Sequence, residues 1–94
     1  MSSIQSNEVK EVKEIITKLK KDVDMAIEIE QLNNKVIDII TPALVADIHD
    51  LKAIDMLDEV ISKFEIMAKQ EPNIYNILAP LRLIQDYVHT QNKE

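Results

Sequence analysis

Between residues 9 and 88 the apolar side chains of this sequence recur at steps of three and four. That spacing places them on one face of an α-helix, so it confines the chain to an all-α architecture. The densest run is central. In residues 51–67, Leu51, Ile54, Leu57, Val60, Ile61, Phe64 and Met67 form one broad apolar stripe, and Asp50, Asp55, Asp58, Glu59, Ser62 and Glu65 are left for water. A stripe of that width needs cover, and the segments on either side can supply it. The expected fold is a small antiparallel helical bundle of three long or four helices. Residues 1–94 would make one domain, with residues 1–6 and 90–94 frayed.

The first helical region carries two apolar registers. Val9, Val12, Ile16, Leu19, Val23 and Ala26 follow a strict a/d heptad seam. Past Ala26 that seam meets Glu30 and Asn33, and a second register takes over through Met25, Ile29, Leu32, Val36 and Ile39 or Ile40. One long helix over about residues 7–40 with a stutter near Asp24 accounts for both; two helices broken near residues 22–24 are the alternative. Either Ser6 or Asn7 can cap its start, with Glu8 and Glu11 where the helix dipole favours acids. The polar Asn33 and Asn34 either fix register within the seam or face water.

Proline sets the expected boundaries. Thr41 followed by Pro42 reads as an N-cap with proline at N1, opening a helix that includes Leu44, Val45 and Ile48 and runs to about Lys69, unless Asp50 or Asp55 restarts it. Pro72 marks the second boundary. The last helix puts Ile74, Ile77, Leu78, Leu81, Ile84 and Val88 on one face, and Pro80 within it predicts a kink near residues 76–79. Both connections are short, which favours antiparallel neighbours.

Composition narrows the chemistry. With no glycine there is no phosphate-cradling loop, and with no cysteine there is neither a disulfide framework nor a thiolate metal site. The net charge is −6 and arginine occurs once, at Arg82, which disfavours a basic patch for nucleic acid. The cluster Lys18, Lys20 and Lys21 lies among acids and reads as a solvated helix face. The polar start has no secretory apolar core, and no apolar run is long enough to span a membrane, so a cytoplasmic setting is expected. Carboxylates are spread along helix faces, without the inward Glu-x-x-His pairs that a di-metal bundle uses. No cofactor, metal or small-molecule ligand is therefore expected.

Two short patterns carry possible chemistry. His49-Asp50-Leu51-Lys52-Ala53 resembles the phospho-acceptor signature of histidine phosphotransfer domains, His-x-Leu-Lys-Gly, with Ala53 in the place of the glycine. The resemblance implies His49 on an exposed bundle helix, accepting phosphate, with Lys52 one turn on to steady it. Arg82 and His89 share a helical face two turns apart and resemble the Arg-x4–6-His pair of HEPN ribonucleases, with Leu83 where the family often has a polar residue. That resemblance implies action on RNA at a dimer interface. The plainer reading of all four side chains is a solvated helix surface.

The leading expectation is a non-catalytic protein-interaction module or small accessory protein, acting through helix packing and an acidic surface. Its warrant is an excess of apolar side chains. Ile27, Ile29, Leu32, Ile37, Ile39 and Ile40 spread over more than half the helix circumference, too wide for one neighbouring helix. Ile27, Ile29, Ile37 and Ile40 are the candidate interaction residues, and the expected partner is a second copy or another protein. A histidine phosphotransfer protein using His49 and a HEPN-like ribonuclease using Arg82 and His89 are the alternatives.

Overall fold

The computed structural model describes residues 6–93, and among these every regular element is helical. Helix α1 (Ser6–Lys35) passes through a π-helical turn (Val36–Ile40) into the short helix α2 (Thr41–Ala46). Helix α3 (Leu51–Ala68) follows a tight turn, and a single 3-10 turn (Pro72–Ile74) leads into α4 (Tyr75–Gln91). Of residues 1–6, expected to fray, 1–5 lie outside those described and Ser6 is the first residue of α1. At the other end α4 continues to Gln91, and the Asn92 side chain donates to Val88 O at 2.8 Å and to Ile48 O at 3.0 Å.

Helix α1 is continuous through residues 22–24, the reading that needs one long helix. The boundary expected at Thr41-Pro42 is corrected. Lys35, Ile40 and Thr41 all hold right-handed helical angles, and the backbone runs on to Ala46. Proline in a continuing helix removes one backbone bond and drives its ring at the carbonyl four residues back. The π turn directly before Pro42 relieves this: its ladder widens by one residue, and the Thr41 N–H reaches Val36 O.

The break falls at residues 47–50, so the second helix does not run unbroken from Pro42 to Lys69; the alternative, a restart at Asp50, is the one the structure adopts. Two aspartates make the turn. Asp47 adopts an extended backbone, and its Oδ1 accepts from the His49 N–H at 2.9 Å. Asp50 is the N-cap of α3, its Oδ1 accepting from the Lys52 and Ala53 N–H groups at 3.1 and 3.2 Å. Near the second boundary, Glu71 is extended ahead of Pro72, as the ring of a following proline requires.

Helix α3 is the centre of the molecule. Leu57, Val60, Ile61, Phe64 and Met67 are buried in one cluster with Leu32, Val36 and Ile40 from one side and Ile74, Leu78 and Leu81 from the other. The stripe predicted for α3 forms this core with one correction: Leu51 at its start is 71% exposed, lying about 130° around the helix from the centre of the buried stripe at 100° per residue. On α4, Val88 is buried as well, while Ile84 lies at the edge.

The radius of gyration is 19.4 Å, against about 12 Å for a compact chain of this length. Extents of 74 × 20 × 17 Å locate the excess along one axis. Residues from Met25 onward pack α1 onto the core, whereas Val9, Val12, Ile15, Ile16, Leu19 and Val23 are all exposed. The first part of α1 is an arm extending about 28 Å from a three-helix head.

Candidate interaction surfaces

The two registers of α1 face different surroundings. Met25, Ile29, Leu32 and Val36 turn onto α3 and belong to the core or pack against it. At 100° per residue, the heptad seam is centred roughly 140° around the helix from that face. It therefore points away from the α3-facing side of the helix, and Val9, Val12, Ile16, Leu19 and Val23 are exposed, while its last member, Ala26, borders the head, lining a shallow depression with Gln70 and Glu71. Leu19, in the middle of the seam, is 59% exposed. At the outer end Glu8, Val9, Val12 and Lys13 line a shallow, nearly apolar depression, with an acid on one side and a base on the other.

A second apolar feature lies between α2 and α4. Ile40, Leu44, Val45, Ile48, Ile84 and Tyr87 line a groove of about 300 Å³ with Leu57 and Val88 among the residues beneath it. Sequence reasoning missed this groove. The available signal was that Val45 and Ile84 exceed what the central stripe can cover. What hid it was the misplaced helix start at Pro42, which aimed α2 along α3.

The four residues singled out for interaction divide. Ile27 and Ile37 are exposed, at 49% and 64%. Ile29 is half-buried against the core. Ile40 is 1% exposed within the core, so its side chain is not open to a partner. The angular argument over this stretch holds to this extent: Leu32 and Ile40 point in, while Ile27, Ile37 and Ile39 point out.

His49 is not on a helix. It occupies the turn between α2 and α3, and its Nδ1 donates to Asn92 Oδ1 at 2.6 Å. The helical setting implied by the phosphotransfer resemblance is thus replaced by a turn pinned to the end of α4, because Asp47 and Asp50 both cap here. Lys52 lies in the first turn of α3.

Arg82 and His89 do share a face of α4, and that face looks at α3. The Arg82 guanidinium donates to Glu65 Oε1 at 3.2 Å, and His89 Nε2 donates to Asp58 Oδ1 at 2.9 Å. Gln85 Nε2, between them, also donates to Asp58 Oδ1 at 2.9 Å. The row closes the α3–α4 seam at its solvent edge, where each donor meets an acidic partner. A scissile phosphate placed there would meet Asp58 and Glu65 first, and like charges disfavour that approach.

Among the described residues no group of three or more His, Asp or Glu side chains is placed to hold a metal ion. No helix among them is long and apolar enough to cross a membrane. Buried polar or charged residues are likewise absent among them. No family model, curated protein or solved structure matches the chain.

Proposed function

We propose that the protein is a non-catalytic interaction module: a three-helix head that holds out a helical arm for docking onto another protein helix. One observation carries the reading. The arm devotes six regularly spaced positions, Val9, Val12, Ile16, Leu19, Val23 and Ala26, to an apolar seam that stays exposed among the described residues. Contiguous apolar surface of this kind is uncommon on a monomer unless a partner uses it. A lone helix of this length is also marginal in water, so the arm gains stability when it docks. The acidic balance of the chain, −6 overall, keeps the rest of the surface soluble and unattractive to nucleic acid.

The test is a photo-crosslinking residue placed at Leu19 on the seam, or at Glu14 on the opposite face, in cells that make the protein. The expected result is one defined adduct from position 19 and none from position 14. Equal or absent crosslinking at both positions would exclude the arm as an interaction surface.

A further inference from the structure

We infer that the arm's partner is a second copy of this chain, joined in a parallel, in-register, two-stranded coiled coil over residues 9–26. The inference rests on the interaction reading above and specifies its occupant. The first argument is side-chain shape. The a positions hold Val9, Ile16 and Val23, and the d positions Val12, Leu19 and Ala26. β-Branched residues at a with leucine at d favour two parallel strands, a pattern met at all three a positions and at the central d position, Leu19.

The second argument is charge. In a parallel pair each g residue faces the e residue of the next heptad on the partner, which sets Glu8 against Lys13 of the second copy, twice by symmetry. Ile15 at g meets the methylene stem of Lys20, which can lie over it with its ammonium in water. In the antiparallel arrangement e residues face e residues. The register that overlaps the whole seam then opposes Lys13 with Lys20 twice, so like charges flank the interface. Charge therefore selects the parallel form.

The third argument is access. The seam is centred well away from the face of α1 that packs on the head, so from Val9 to Val23 a second arm can lie along it clear of the head, and at Ala26 it reaches the edge formed by Gln70 and Glu71. The pairing also ends where the structure requires it to. Glu30 and Asn33 occupy the next seam places, and by that point α1 has turned its other face to α3. The seam is under three heptads long, so the dimer should form in the micromolar range rather than be permanent.

The experiment uses the full chain, which lacks cysteine, so engineered thiols report cleanly. Sedimentation equilibrium at about 100 µM should give a dimer, and Leu19→Glu should give a monomer whose head still unfolds cooperatively. Under mild oxidation Val12→Cys should form a disulfide-linked dimer. In an equimolar mixture of Val12→Cys and Val23→Cys, only like-with-like disulfides should form. Mixed disulfides as the main product would mean antiparallel arms and would overturn the inference, as would a trimer or a monomer of the unsubstituted chain. A monomer that still gives one adduct with a different protein from position 19 would leave the interaction reading standing. A monomer with no face-selective adduct would remove both.

Discussion

Asp58 on α3 and His89 on α4 face each other across the helix pair, His89 Nε2 lying 2.9 Å from Asp58 Oδ1 and 3.1 Å from Oδ2. Glu65 and Arg82 repeat the relationship seven residues away on each helix, running in opposite directions. Two such contacts fix one antiparallel register. Both pairs remain solvent-accessible, so each orients the helices more than it holds them together. Asp58→Ala should cost about 0.5–1 kcal/mol, since it also frees Gln85. In that background His89→Ala should cost almost nothing more, and a denaturant double-mutant cycle measures the difference. Strict additivity of the two substitutions would mean that the side chains do not meet in solution.

The core of α3 makes a sharper demand. Phe64 is fully buried and Leu57 is 1% exposed. Truncating either to alanine should destabilise the head by roughly 2–5 kcal/mol through lost burial and a residual cavity. Glu59→Ala, on the solvent face, should stay within about 0.5 kcal/mol, and so should Leu51→Ala despite its chemistry. Chemical denaturation separates the groups, and comparable losses at Leu51 and Leu57 would contradict the position of the first α3 turn.

The turn before α3 offers a third check. Asp50 satisfies two backbone N–H groups at the helix start, and Asn92 reaches from the far end of α4 to Ile48 O. Asp50→Ala should cost about 1 kcal/mol, the usual size of a lost N-cap. Asn92→Ala should cost a similar ~1 kcal/mol and release His49, whose ring resonances in NMR spectra should then move toward those of an unstructured peptide. An unchanged His49 spectrum in the Asn92 variant would show that the two ends of the head do not touch.

Much of this architecture was legible in the residues, and the exceptions have physical causes. Periodicity located the buried face of α3 and the core side of α4, because burial on one face is what that pattern encodes. Pro42 misled because Thr41-Pro42 has the form of an N-cap and N1 opening a new helix. A π turn offers a second way past it, and the buried Val36 and Ile40 on that turn give the chain a reason to take it. The real break was legible as the possible restart at Asp50, but choosing it depends on Asp47 and Asp50 bonding to nearby backbone, a local competition that periodicity does not register. The partners of Arg82 and His89 were visible in principle, since Asp58 and Glu65 have the same seven-residue spacing, but pairing them needed the antiparallel alignment first. The two registers of α1 were also visible. That one would serve the head and the other stand free was not, because an amphipathic pattern shows that a face is apolar without showing what covers it.

Leucine-to-alanine at position 19 brings the arm and the head into one comparison. Leu57 and Leu19 are the same residue on helices of the same chain, one buried at 1% exposure and the other at 59%. Alanine has at least the helix propensity of leucine, so Leu19→Ala does not weaken the isolated arm. In a monomer it removes no packing either, and at about 1 µM its thermal melt should overlay that of the unsubstituted chain. At about 100 µM the paired arms bury Leu19 at a d position, and pairing stabilises the folded state by mass action. There the unsubstituted chain should melt higher than at 1 µM, and Leu19→Ala should lose most of that gain. Leu57→Ala should instead lower both melts by similar amounts, because its packing lies within one chain. Circular dichroism at the two concentrations reads all four curves. A Leu19→Ala loss as large at 1 µM as at 100 µM would mean that the arm folds back on its own head, and the absence of any loss at either concentration would mean that the seam is not paired.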